Sequence, residues 1–457
     1  MARVRSWIAV ALVAMVVLAA CGDDDASSGG ATTTSGGGDT TSSVPELTDS
    51  FRGVTADSIK IAIVVVDFEC IAQFVDFNQG DAEKIEAALV DDINANGGVL
   101  GRQLDVVFKN LCPLNPDDVA AACTSLTDDE QVFAVLGVYD TPPSDGSNQL
   151  CITRDHDTIL INELVTKATM DQAPPGLLLQ PGILPERRLD ALLSLLEQED
   201  TLAGKKVAVL ADQDTQASAD AAVSAAADSM GLEQGSTAVL TITSEDTSAA
   251  QAQLDSFIER WKDEGVNALV MSGLLVSAKQ FVEKIKAALP DVLLITDDSS
   301  VGSQAKDEVR AGLSPNPYEG MVTLSGLSEV EVFESEGVQR CVKIYEEATG
   351  ETVVPPDQVT PGADGKLAQV YVGVQDRCNE LSMFQQIAEA AGADLTNDSW
   401  IAAVNDFGKI SLATTEIGSL GEGKYDADDG FRLSAWDSTI GPDGDFKPLT
   451  DLLDVTA

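Results

Sequence analysis

From Ile59 onward the chain alternates between short runs of β-branched and aliphatic residues and longer stretches in which apolar positions return every three or four residues. Residues 59–66 read as a strand. Ile85, Ala88, Leu89 and Ile93 then share one helical face, and Gly97-Gly98 stands where a helix end needs residues free to take positive φ. Further strands are predicted at 104–108, 132–136, 158–161 and 177–179, with a helix at 117–126. A helix at 189–196 opens a second set, whose strands fall at 206–211, 237–242, 266–271 and 292–296. Leu254, Phe257, Ile258 and Trp261 mark one of its helices. Strands alternating with helices of about 10–15 residues predict parallel sheets with right-handed crossovers, here in two Rossmann-like α/β lobes.

After Glu319 the order changes to a strand at 321–324, long helices at 331–349 and 367–391, a helical stretch at 400–404 and a late strand at 431–436. Such an ending suits segments that return to each lobe in turn. That requires several crossings between lobes, and therefore a multi-strand hinge.

Ahead of this body the pattern is different. Arg3 and Arg5 precede an apolar run from Trp7 to Leu18, followed by Leu18-Ala19-Ala20-Cys21. The run is shorter than the roughly 20 residues a membrane span needs, and with its basic start it reads as a secretory signal. The cysteine at the cut site resembles the lipobox of bacterial lipoproteins, which implies that Cys21 becomes the acylated first residue of the mature chain. Residues 22–50 are Asp, Ser, Thr and Gly with little to bury, the composition of a flexible tether. A Gly-rich coil of ~33 residues has a root-mean-square reach of about 30 Å.

Charge and cysteine content narrow the function. With 28 basic against 75 acidic residues the net charge is −47, which repels phosphate backbones and excludes nucleic acid as a partner. Apart from Cys21 there are six cysteines, an even number suited to three disulfides in an exported chain, with fifteen possible pairings. No CxxC pair is present, and His156 is the single imidazole, so neither a zinc site nor any other metal is expected. GxSxG, P-loop, HExxH and strand-bound GxGxxG motifs are missing, so no catalytic residues are assigned. Asp426-Ala427-Asp428-Asp429-Gly430 has a calcium-loop flavour, but its Gly is misplaced and no Glu follows at the required spacing.

Two stretches carry a resemblance. Gly53-Val54-Thr55-Ala56-Asp57-Ser58-Ile59-Lys60-Ile61 and Ile93-Asn94-Ala95-Asn96-Gly97-Gly98-Val99-Leu100-Gly101-Arg102-Gln103-Leu104 are similar to the type I periplasmic binding proteins of the branched-chain amino-acid (Leu/Ile/Val) transporter family. The resemblance implies a signal peptide at 1–20 and a lipidated Cys with linker at 21–54. It also implies a first lobe at 55–180 with 326–400, and a second at 181–325 with 401–457. It places the ligand between the lobes, with Tyr139, Asp140, Thr141, Asn162 and Glu163 contributed by the first and Asp297 and Asp298 by the second. The aromatic residues that amino-acid binders present from the second lobe are missing here, where Ala211-Asp212-Gln213-Asp214 and Ser272-Gly273-Leu274-Leu275 stand. A free branched-chain amino acid therefore fits less well than a small polar or amide-like ligand.

On that lobe assignment the expected disulfides are Cys70–Cys112, Cys123–Cys151 and Cys341–Cys378. The chain reads as the extracytoplasmic, lipid-anchored, non-enzymatic substrate-binding protein of an ABC importer, monomeric and without cofactor. Its partners would be a small-molecule ligand and the permease subunits. The alternatives are a sensor feeding a signalling partner, or a hydrolase with an atypical site.

Overall fold

The computed structural model describes residues 47–456, except 73–76, 114, 138–145, 164, 214, 242–246, 274–275, 298–300 and 364. The signal segment and Cys21 therefore lie outside the described residues, as do Tyr139, Asp140, Thr141 and Asp298.

Strands β1 (Ser58–Val66), β2 (Gln103–Leu111), β3 (Ala134–Gly137), β4 (Ile159–Ile161) and β5 (Leu178–Leu179) form an all-parallel sheet in the order β2-β1-β3-β4-β5. Ile61, Ala62, Ile63 and Val64 are fully buried, the continuous apolar run that a strand covered on both faces requires. Helix α1 (Ala82–Ala95) is capped by Asp81, whose side chain accepts from the backbone N–H of Lys84. The Gly97-Gly98 turn then returns the chain to β2. At Gly98, with φ +69°, a Cβ would sit 1.9 Å from the Arg102 carbonyl oxygen, so only glycine fits.

Helix α2 (Pro185–Gln198) leads into β6 (Lys206–Asp212), β7 (Ala268–Ser272), β8 (Leu293–Thr296) and β9 (Val322–Ser325), parallel strands of a second sheet. Leu193, Val207, Val270 and Leu324 pack on one face of that sheet and Leu210, Trp261, Phe281 and Leu294 on the other. The chain then passes through α3 (Glu329–Glu334), α4 (Glu336–Thr349), α5 (Val370–Ala391) and α6 (Asn397–Asn405). Their buried faces, including Val338, Phe384 and Trp400, join the core of the first lobe. Strand β10 (Gly430–Asp437) finally adds antiparallel to β9, so the second sheet is mixed rather than parallel throughout.

Two expectations need correction. The helix expected at 331–349 is broken at Ser335, whose backbone is extended. Its hydroxyl accepts from Val338 N–H and donates to the Ala413 carbonyl, so it restarts the helix instead of continuing it. The segment 401–427 was expected in the second lobe, yet Val404, Ile410, Leu412, Leu420 and Ala427 are buried in the first core.

The expected disulfides are all present: Cys70–Cys112, Cys123–Cys151 and Cys341–Cys378, with Cα separations of 5.7, 6.3 and 6.3 Å.

Candidate ligand cleft and hinge

The two sheets are joined where the chain crosses near 180–184, 325–328 and 427–430. Gln180 exchanges backbone hydrogen bonds with Tyr425 and Ala427, laying the first crossing beside the third. Arg187, on α2, binds Asp426 at 2.7 Å and Asp429 at 2.8 Å, and also donates to the carbonyls of Asp428 and Val455. Lys424 adds a second cation, 3.0 Å from Asp429. Asp426 also accepts from Leu184 N–H, and Asp429 from the Ser419 hydroxyl. The loop with a calcium flavour is thus an ion-paired hinge. Burial pushes Asp428 beside it up to about 7. Arg432 and Glu331 pair through both guanidinium nitrogens, and that contact holds Glu331 down at about 2.

In open α/β sheets ligands bind beyond the carboxyl ends of the strands. On the second lobe, Asp297 follows β8. One of its oxygens accepts from the Ser272 hydroxyl at 2.7 Å, and the other faces Gly273 N–H at 3.4 Å. This carboxylate braces the end of β7, a structural duty alongside any contact with ligand. Asp212, the last residue of β6, similarly accepts from the Thr215 backbone N–H and hydroxyl.

On the first lobe, Asn162 and Glu163 follow β4. Asn162 is fully buried, and its backbone N–H donates to Leu179 at 2.9 Å. Glu163 keeps part of its surface accessible, although the surrounding protein desolvates it. That burial, with the Asp376 carboxylate close by, raises its proton affinity against the opposing pull of Arg377. Asp376 is raised by burial too.

Behind these two lies a group that sequence reading missed. Arg377 on α5 pairs with Glu380 one turn on, at 2.6 and 2.8 Å, both side chains being buried. At Gly137, the last residue of β3 with φ +112°, a Cβ would meet the Val64 carbonyl at 2.0 Å and Arg377 Nη1 at 2.8 Å. The arginine therefore lies directly under the strand ends. Glu86 on α1 is only 4% exposed, and neither carboxylate oxygen has a hydrogen-bond partner. Burial pushes it up to about 8, against the attraction of Arg377. The available signal was Arg377 itself, standing on the apolar stripe of Val374, Leu381, Phe384 and Ala388.

His156 pairs with Asp128 at 3.1 Å and lies near the Cys123 and Cys151 sulfurs. Those sulfurs are joined in a disulfide, so the trio is no metal site.

The periplasmic binding protein family model matches residues 79–436, most of the chain. The chain belongs to that family. Solved structures agree with its type I fold at low identity. A solute-binding protein of an ABC transporter from Rhodopseudomonas palustris, in complex with 3,4-dihydroxybenzoic acid, is 15% identical with a TM-score of 0.54, covering 87% of this chain and 98% of its own. A fatty acid ABC transporter substrate-binding protein from Thermomonospora curvata is 16% identical with a TM-score of 0.55, covering 89% and 95%. A leucine-binding protein from Thermotoga maritima is 13% identical with a TM-score of 0.55, covering 87% and 99%. No curated protein matches this periplasmic binding protein by sequence.

Proposed function

We propose that this periplasmic binding protein is the extracytoplasmic, lipid-anchored receptor of an ABC importer, capturing a small polar ligand between its lobes without chemical turnover. The observation that carries this reading is a pair of α/β sheets, each with its own core, joined by crossings at 180–184, 325–328 and 427–430. Such a joint permits closure around a ligand that touches both lobes, and the closed form is what a permease would recognise. The neighbours that take a benzoate, a fatty acid or leucine are consistent with one scaffold serving different solutes. In the division we propose, 55–180 with 326–427 forms the first lobe and 181–325 with 428–457 the second. Asn162, Glu163 and Asp297 are cleft residues. The undescribed Tyr139, Asp140, Thr141 and Asp298 would complete them.

The test is small-angle scattering with and without a ligand found by native mass spectrometry of the purified protein. Closure should reduce the radius of gyration, with no change in ligand mass. Conversion of the ligand would favour the hydrolase alternative. Anchoring is tested separately: Cys21→Ser should move the protein from the membrane fraction to the soluble one, and unchanged partitioning rules out acylation.

A further inference from the structure

The carboxyl ends of the strands are acidic on both lobes. Asp67 and Glu69 follow β1, Glu163 follows β4, Asp212 ends β6 and Asp297 follows β8. Among the described residues, none within three positions after these strands is Lys or Arg. Among the described residues, the cation under the first-lobe strand ends is Arg377, which Glu380 already holds in a two-point ion pair, while on the second lobe Arg188 donates to the Leu324 carbonyl of β9.

Four carboxyl groups, Glu86, Glu163, Asp376 and Glu380, share that single guanidinium. A buried charge without a partner is costly, and proteins remove the cost by pairing or by protonation. Glu86 shows that the deficit is not met among the described residues, since both its oxygens are enclosed and unpartnered. Glu163 and Asp376, which share Arg377 with it, remain partly accessible. A visiting cation would reach those two first, and its field would extend to the other two carboxyl groups.

Resting on the binding-protein reading above, we infer that the ligand carries a positive charge, as an organic amine, guanidine or quaternary ammonium, and that Glu163 and Asp376 hold it on the first lobe. This differs from the carboxylate ligands of the benzoate and fatty-acid neighbours.

Binding is then coupled to protons. Glu83 and Glu86 face the cluster from α1, and Glu163 faces it from the end of β4. Glu329 on α3 reaches Tyr371 on α5, which lies near Asp376, with Arg377 and Glu380 deeper on the same helix. Burial raises Glu86 and Glu163 to about 8, so these two hold protons near neutral pH, while Asp376 is raised to about 6. A cation requires them ionised, so binding releases protons and strengthens with rising pH.

The experiment uses the mature chain at pH 8. Thermal shift is measured with organic amines, guanidines and quaternary ammonium compounds, and in parallel with neutral amides, carboxylic acids and calcium chloride. Cationic organic compounds should raise the melting temperature. For the strongest, calorimetry in two buffers of different ionisation enthalpy should report proton release at pH 7 and weaker binding at pH 6 than at pH 8. Glu163→Gln and Asp376→Asn should each weaken that binding about tenfold or more, the loss expected for a charge-assisted contact. Their unliganded melting temperatures verify folding. Stabilisation by acids or neutral amides only, by calcium only, or by an amine whose binding survives both substitutions, would overturn the inference. Closure around a neutral or acidic compound would still leave the binding-protein reading standing, whereas stabilisation by no compound of any class counts against both.

Discussion

Two arginines of this protein are surrounded by carboxylates. Arg187 stands at the hinge between Asp426 and Asp429, with Lys424 beside them and two further donors, Leu184 N–H and the Ser419 hydroxyl, completing the acids. Arg377 stands under the strand ends of the first lobe among four acids, with no second cation. The hinge group is close to neutral, and each of its acids is held by a cation and by at least one hydrogen bond. The first-lobe group is short of positive charge, and one of its members has no hydrogen bond. A satisfied buried network fixes geometry, whereas an unsatisfied one stays responsive to protons or to a ligand.

The largest test of that contrast is to remove each arginine. Arg187→Leu strands Asp426 and Asp429 without their guanidinium, and the expected loss is about 3–5 kcal/mol in urea unfolding near neutral pH. Arg377→Leu should cost less at pH 6, about 1–2 kcal/mol, because its neighbours can hold protons, and more at pH 9, where they cannot. Equal losses for the two variants at both pH values would erase the distinction.

A smaller effect sharpens it. Glu86 takes its proton far above the ordinary carboxyl range, at about 8. A group raised on folding contributes stability that is full below its unfolded value and is lost as pH rises through the folded one. Wild-type stability should therefore fall between pH 6 and pH 9, and Glu86→Gln should flatten that fall by about 1 kcal/mol or more. Parallel pH profiles for the two proteins would show that Glu86 is compensated by something else.

Much of the fold was readable because it is local. The apolar run of β1, the face of α1 and the Gly97-Gly98 turn each follow from neighbours within a few residues, and most strands fall within about two residues of their expected ends, although β2 runs three residues past the expected 108. The restart at Ser335 was also encoded locally, since a serine three residues before Val338 is a capping signal that the long apolar stripe of α4 obscured. Apart from Glu163, the first-lobe acidic group was not readable. Its members come from positions 86, 163, 376 and 380, brought together only after the chain has built the second sheet and returned. In a chain with 75 acidic residues no single carboxylate stands out. The return of 401–427 to the first core was hidden for the same reason: its short apolar segments carry no period that says which lobe they will cover.

Arg102 closes the first lobe at the opposite end, where the strands begin. Fully buried, it donates from Nε to the Thr55 carbonyl at 2.6 Å and from Nη2 to Thr48 and Ala393 at 3.0 Å each. The Ser50 hydroxyl adds a bond to the Leu395 carbonyl at 2.8 Å. Mechanically this is a strain relief. These bonds tie the entry to β1, the start of β2 and the segment before α6 at one point, so a pull on the entry to β1 is shared among all three rather than borne by that strand alone.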